Sequence, residues 1–191
     1  MILAAGGSRR LGRPKQLLTL GGETLVARVA RLVLATSPSR TLLVLGAHAD
    51  AIGSALASAA VEIVENDAWA TGMASSLQAA ARELAGRGLP VLVSVVDQPA
   101  LDARHFSALL AAHDETCDTV SAYGEALGIP AVLRASTLAR AATLNGDVGF
   151  RGLWADTSPR SVRADELGAD LDDEADVRRA VAAGLLDNPG P

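Results

Sequence analysis

Leu3-Ala4-Ala5-Gly6-Gly7-Ser8-Arg9-Arg10-Leu11-Gly12-Arg13-Pro14-Lys15-Gln16 is the stretch from which the rest of the chain is read. The short apolar run Met1 to Ala4 reads as a β-strand. It breaks into Gly6, Gly7 and Ser8, small residues that leave backbone N–H groups uncovered. Glycine permits positive φ and close backbone approach, both of which a phosphate cradle needs. Arg9, Arg10, Arg13 and Lys15 then place four positive charges within seven positions, uninterrupted by an acid. Arginine holds an anion as a planar fork, lysine as a mobile point charge. Lys15 is the only lysine in the chain; every other base is arginine. Taken alone, such a loop is either a solvated turn or an anion site. The Gly-Lys-Ser/Thr ending of a Walker A loop and the Gly-x-Gly-x-x-Gly spacing are both absent from it.

Outward from this loop, 191 residues make one α/β domain the expected size. Apolar residues are 49% of the chain but aromatics only 3%, so Leu, Val and Ala must fill the core. A net charge of −5 argues against a general nucleic-acid surface. Against that acidic background the basic loop reads as one local anion site. The single Cys117 allows no internal disulfide and is expected to be buried and inert. His48, His105 and His113 are far apart, form no zinc spacing and receive no chemistry, and no Ser–His–Asp or Cys–His arrangement is suggested. No apolar run reaches the ~20 residues of a membrane span. Apolar residues precede the first charges, unlike a signal peptide, so the expected location is the cytoplasm, with no membrane or nucleic-acid partner.

Apolar periodicity predicts helices over Glu23 to Thr36, Asp50 to Ser58, Met73 to Ala85, Ala103 to His113 (Asp102 as N-cap) and Asp173 to Ala183, with short ones at Ser136 to Thr143 and Phe150 to Asp156. Strands are predicted at Thr41 to Leu45, Val61 to Val64, Pro90 to Val96, Asp118 to Tyr123, Gly128 to Leu133 and Ser161 to Arg163. Pro130 suits an edge or a strand start. The alternation of β and α segments implies a mostly parallel, Rossmann-like sheet with helices on both faces, a three-layer α/β fold. Residues 1–186 are expected to form a single domain, with 187–191 a frayed tail.

In such sheets ligands bind outside the carboxyl ends of the strands. The loop after the first strand, Asn66 to Ser76, and Asp97-Gln98-Pro99 all fall there. Asp97, at the end of the Pro90 to Val96 strand, either caps a turn or holds a cation. Beside a polyphosphate loop it would serve Mg²⁺, which takes one or two carboxylates plus phosphate oxygens and water. Asp170 and Asp172 are the candidates for a second carboxylate, or else an acidic helix start favoured by the helix dipole. Gly72 and the N–H groups of the following helix, with Ser75, Ser76 and Asn66, could bind an anion or a hydroxyl. Trp69 reads as a core or lid residue.

The motif Leu-Ala-Ala-Gly-x-Ser-x-Arg-x-Gly-x-x-Lys-x-Leu-Leu resembles the signature of the nucleotidyltransferases that act on the molybdenum cofactor. Leu3-Ala4-Ala5-Gly6 and the Pro14-Lys15-Gln16-Leu17-Leu18 ending are most similar to the cytidylyltransferase branch; guanylyl-transferring relatives usually show Leu-Ala-Gly-Gly. Asn66…Trp69…Gly72-Met73-Ala74-Ser75-Ser76, Asp97-Gln98-Pro99, Gly146-Asp147-Val148-Gly149-Phe150-Arg151 and Asp170-Leu171-Asp172 resemble further family motifs in the same order, although Asp173-Glu174 replaces the family's Thr-Pro. Relatives usually carry several more residues before the first strand, so either that strand is abbreviated here or the start lies upstream.

The resemblance implies the nucleotide-diphospho-sugar transferase fold and Mg²⁺-dependent transfer of CMP from CTP to molybdopterin, releasing pyrophosphate. Arg10, Lys15 and Asp97 would be catalytic. Leu3, Ala4, Ala5, Gly6, Gly7, Ser8, Arg10, Lys15, Asn66, Gly72, Ser76 and Asp97 would bind nucleotide, with backbone groups of Leu3 to Gly6 on the base or ribose. Gln98, Gly146, Asp147 and Arg151 would bind the acceptor, and Asp97 and Asp172 the metal. A recipient molybdoenzyme would be a further partner. Two alternatives stay open: a sugar- or alditol-phosphate nucleotidyltransferase of the same fold, and a non-catalytic nucleotide- or cofactor-binding chaperone for a molybdoenzyme.

Overall fold

The computed structural model of the chain describes residues 1–56, 59–146, 148–154 and 156–190. Asp147 and the Arg151 side chain lie outside the described residues. Strands β1 (Ile2–Leu3), β4 (Leu42–Leu45), β5 (Glu62–Glu65), β6 (Val91–Val95), β7 (Thr119–Tyr123), β8 (Ala126–Leu133) and β9 (Arg160–Arg163) form one sheet in the order β5-β4-β1-β6-β8-β7-β9. Only β8 runs against its neighbours; every other pairing is parallel. The mostly parallel α/β sheet expected from the sequence is therefore the one found. Although it has only two residues, β1 sits between β4 and β6, which puts the loop that follows it at the middle of the sheet.

Successive strand residues face opposite sides of a sheet. Met1, Leu3 and Ala5 join a core with helices α3 (Met73–Leu84), α5 (Ala135–Ala139) and α6 (Phe150–Trp154). Ile2 and Ala4 join the other core, with α1 (Leu25–Leu34), α2 (Ala49–Ser54) and α4 (Ala103–Ala112). A strand covered on both faces reads as a continuous apolar run, which is why all four residues of β4 are buried. Aromatics are used sparingly: Phe106 fills one core, and a stacked Phe150–Trp154 pair, centroids 5.8 Å apart, fills the other.

Four details differ from the sequence reading. A small hairpin, β2 (Thr19–Leu20) with β3 (Glu23–Thr24), precedes α1, which starts at Leu25 because the Thr24 hydroxyl accepts from the Ala27 N–H. Pro130 lies inside β8, between two strands, where an irregularity leaves Ile129 and Pro130 unmatched: Val120 faces Ala131 while Ser121 faces Gly128. A proline without an N–H is tolerated at such a bulge. Helix α2 ends at Ser54, and Ala57 and Ser58 of the expected helix lie outside the described residues.

The fourth is Asp187, expected in a frayed tail. Its N–H donates to Thr19 O at 2.8 Å, and its carboxylate accepts from the N–H groups of Gly21 and Gly22, the β2–β3 turn. Helix α7 (Glu174–Ala182), capped by Asp173, and Leu186 pack in a third apolar cluster with Leu11, Leu18 and Leu25. That cluster brings the C-terminal acidic stretch against the Gly/Arg loop.

Candidate active site

The loop after β1 lies over Gln16, whose side chain is buried. The Gln16 amide nitrogen donates to Ala4 O at 2.9 Å and Gly6 O at 2.8 Å. Ala5 O accepts from Ala47 N–H at 3.1 Å. These carbonyls, which were expected to help hold a base or ribose, are already engaged. The N–H groups of Ala5, Gly6, Gly7 and Ser8 make no hydrogen bond among the described residues. Consecutive free amides form an anion-binding concavity. Ser8 turns the loop at φ 48°, and its hydroxyl accepts from Lys15 N–H at 3.1 Å. The loop thus offers donors and no free carbonyl from Ala4, Ala5 or Gly6, which suits phosphate.

Trp69 walls one side. A Cβ on Gly7 would lie 2.8 Å from its ring, and a Cβ on Gly46 2.5 Å from its Cβ, so both glycines are needed for the indole to pack this closely. The Arg9 guanidinium sits 5.6 Å from the Trp69 ring centroid, a cation–π contact. Trp69, read from the sequence as a core or lid residue, is half-buried.

The Lys15 ammonium is the centre of the charged cluster. It donates to Asp97 Oδ2 at 2.6 Å and Leu171 O at 3.0 Å, and lies 3.5 Å from Asp172 Oδ1. Desolvation works against its charge, but Asp97 and then Asp172 outweigh it and hold the ammonium above its ordinary range. Arg10 pairs with Asp172 at 2.8 Å and Arg13 with Glu174 at 2.9 Å. Leu171 N–H donates to Asp97 O at 3.0 Å, joining the acidic strap 170–174 to the carboxyl end of β6. Asp170 stands at the surface, yet desolvation of its carboxyl and then the neighbouring Asp97 push it up to about 6. Of the two candidate second carboxylates, Asp172 is the one that reaches Lys15 and Arg10.

Among the described residues no group of three or more His, Cys, Asp or Glu side chains could hold a metal by itself. Asp97 Oδ1, however, is buried and has no hydrogen-bond partner. A carboxylate oxygen of this kind, with Asp172 beside it, fits a hard cation that takes its remaining ligands from phosphate and water.

Two groups of expected contacts turn inward instead. Asn66 donates to the Ser75 and Ser76 hydroxyls at 2.8 and 3.0 Å and accepts from Ala68 N–H at 3.1 Å. Asn66 and Ser76 are both buried, and they clasp the 66–72 loop to α3 rather than face a nucleotide. Gln98, expected on the acceptor, is also buried; its amide donates to Tyr123 Oη, Ile129 O and Leu167 O. Gly72, with φ 115°, opens α3 at the rim. Exposed Gly146 is joined to that rim through Ala74 N–H, which donates to its carbonyl at 3.1 Å. The role of Gln16 escaped the sequence reading, although its place one residue after Lys15 marked it as part of the loop.

Residues 1–162 match the family model for the MobA-like NTP transferase domain. The chain belongs to that family. Nicotine blue oxidoreductase of Paenarthrobacter nicotinovorans is 35% identical over 161 residues, covering 79% of this chain and 78% of that protein. A probable molybdenum cofactor guanylyltransferase of Opitutus terrae is 34% identical over 109 residues, 59% of this chain and 52% of that protein. Among solved structures, the Mycobacterium tuberculosis Rv0371c homolog from Mycobacterium sp. strain JC1 superposes with a TM-score of 0.78 at 28% identity, covering 96% of this chain and 94% of the other. Family membership supports nucleotidyl transfer as the reaction class and a nucleoside triphosphate as a substrate. No helix among the described residues is long and apolar enough to cross a membrane.

Proposed function

We propose that this chain transfers CMP from CTP to a molybdopterin-type phosphate, releasing pyrophosphate with Mg²⁺ as cofactor. The observation that carries the nucleotidyl-transfer part is the meeting of Lys15, Asp97 and Asp172 beside a row of free amides at the carboxyl ends of β1 and β6. The choice of CTP rests on Ala5 and on the Pro14-Lys15-Gln16 ending; the choice of acceptor rests on the family and on the Opitutus terrae relative.

Nucleotidyl transfer asks little covalent chemistry of a protein. It positions two phosphates and stabilises charge that moves onto the leaving pyrophosphate. The amides of Ala5 to Ser8 would hold the triphosphate, and Arg10 and Lys15 would take the developing charge. Asp97 and Asp172 would hold Mg²⁺, which when bound neutralises phosphate oxygens and orients them. In the structure Lys15 bridges those carboxylates; with their charge shared by Mg²⁺, its ammonium would be free to serve the triphosphate. Arg151 and Asp147 are proposed for the acceptor phosphate on the strength of their motif alone.

Pyrophosphate release tests the reading, measured with each of CTP, GTP, ATP and UTP against molybdenum-loaded molybdopterin and against sugar and alditol phosphates. Turnover with CTP and molybdopterin only is the expected result. A kcat/KM favouring GTP moves the chain to guanylyl transfer. Turnover only with a sugar phosphate replaces the acceptor, and nucleotide binding without turnover leaves a binding protein. The Paenarthrobacter relative motivates a second reading, in which the same cleft serves an oxidoreductase. Redox turnover of nicotine blue by the purified protein in the presence of an added two-electron donor or acceptor, with no pyrophosphate release, would favour it.

A further inference from the structure

We infer that Gln16 is a positioning residue that aims the Ala5 and Gly7 amides at the ligand; this rests on the nucleotidyl-transfer reading above. A trans peptide unit is planar, with the carbonyl of one residue and the N–H of the next pointing in opposite directions. The Gln16 amide holds the Ala4 carbonyl at 2.9 Å and the Gly6 carbonyl at 2.8 Å from beneath the loop. The N–H groups of Ala5 and Gly7 must therefore point away from Gln16. Ala47 holds the Ala5 carbonyl in the same manner, which turns the Gly6 N–H away from Ala47.

Gln16 itself is buried, while Gly6 is exposed and Gly7 half-buried, so for the Gly6–Gly7 peptide away from Gln16 means toward the open face of the loop; the Ala4–Ala5 peptide, between two buried residues, supplies the inner end of the same row of unbonded amides. Nothing else holds the two carbonyls among the described residues. Gly6 has open space around its missing Cβ and glycine's wide choice of φ, so this loop is free to flip its peptides unless something pins them. One side chain with two donors on a single nitrogen is suited to pinning two carbonyls at once. A flipped peptide would present an oxygen to the phosphate in place of an N–H. The ligand class recognised by the pinned loop is a polyphosphate, and the pinning is independent of the base and of the acceptor.

Gln16→Met keeps the bulk and removes both donors; Gln16→Glu sets an anion against the two carbonyls; Gln16→Asn keeps the amide on a shorter arm. Each is compared with wild type using ¹⁵N-labelled protein titrated with inorganic pyrophosphate and with CTP–Mg²⁺. Nucleotide KM, kcat and the melting temperature are measured alongside. In wild type the amide resonances of Ala5 to Ser8 are expected to move on titration. In Gln16→Met, affinity for both probes falls about ten- to a hundredfold, as for the loss of hydrogen bonds to a charged group, and nucleotide KM rises in step. Gln16→Glu does the same or worse, and Gln16→Asn lies between and serves if the Met variant does not fold. A residue that only supports the fold would lower the melting temperature and kcat and leave KM unchanged, which overturns the assignment. Equal binding by wild type and variants overturns it too, and leaves nucleotidyl transfer intact. Absence of both pyrophosphate and CTP binding in wild type removes the nucleotidyl-transfer reading, and the role of Gln16 with it.

Discussion

Lys15 Nζ lies 2.6 Å from Asp97 Oδ2, and both side chains are largely buried, at 14% and 18% exposure. The one lysine of the chain thus joins the loop after β1 to the carboxyl end of β6, the two neighbouring strands at the middle of the sheet. A pair this sheltered is screened less by salt than a surface pair, and removing one member leaves the other as an uncompensated charge. Arginine is no substitute, since its planar fork needs room that a point charge between three oxygens does not provide. We expect Lys15→Ala to lower pyrophosphate release by about 10²–10³-fold, the scale of removing one donor to developing charge. Lys15→Arg should recover little of it. Steady-state release, with circular dichroism to show that the fold persists, makes the comparison. Near-wild-type turnover in either variant would take Lys15 out of the mechanism.

The two carboxylates near Lys15 are not equivalent. Asp97 keeps a buried oxygen without a partner, whereas Asp172 is divided between Arg10 and Lys15 and is more exposed. We expect Asp97→Asn to weaken Mg²⁺-dependent CTP binding at least about tenfold more than Asp172→Asn does, a gap of ~1.4 kcal/mol. Calorimetric titration of each variant with CTP, with and without Mg²⁺, reads the difference. Equal losses would mean two equal ligands.

How far this site could be read from sequence depended on the range of the contacts. The Gly/Arg loop is local, and β/α alternation alone sends Asp97 to the carboxyl end of a parallel strand, so the places of both were legible. Asp172 was chosen over Asp170 through the motif that it resembles, and the packing of α7 on Leu11, Leu18 and Leu25 is what brings it to Lys15 and Arg10. Asn66, Ser76 and Gln98 were read outward and turn inward. Hydrogen-bonding side chains beside a cleft look alike in sequence whether they serve a ligand or satisfy buried backbone and hydroxyl groups. The β2–β3 hairpin has strands of two residues, too short for alternation to show. Its signal was Gly21-Gly22, with φ of 62° and 78°, a pair suited to a tight hairpin turn.

Glu174 is where the chain departs from the motif that its neighbours resemble, and it pairs with Arg13 at 2.9 Å. The pair is partly exposed, so its own worth is about 0–1 kcal/mol. Its consequence is competition, because it occupies a loop cation that a triphosphate could use. Glu174→Gln should therefore tighten metal-free binding of inorganic triphosphate by about two- to fivefold at low salt, with the gain shrinking as salt screens the charges. Isothermal titration at two ionic strengths checks both parts. Unchanged or weaker binding in the variant would show that Arg13 does not face the phosphates.

His105 contributes a pH dependence that belongs to the fold rather than the site. Its Nε2 lies 2.6 Å from Ser121 Oγ, and Ser121 Oγ donates its single proton to Pro130 O at 2.6 Å. The ring nitrogen must then be the donor, so Nε2 carries the proton. Desolvation lowers the His105 pKa, opposed by the carboxylates of Glu166 and Asp102. A base whose folded pKa lies below its unfolded value favours the native state while it is neutral. That contribution is fully present above the unfolded value of about 6.5 and is lost as pH falls through the lower folded value. We expect His105→Gln, which can still offer a donor to Ser121, to be less stable than wild type at about pH 7.5 and to lose less on moving to about pH 5. Urea unfolding of both proteins at the two pH values isolates the term, since the carboxylates common to both cancel in the difference. Parallel losses in the two proteins would show that His105 titrates alike folded and unfolded.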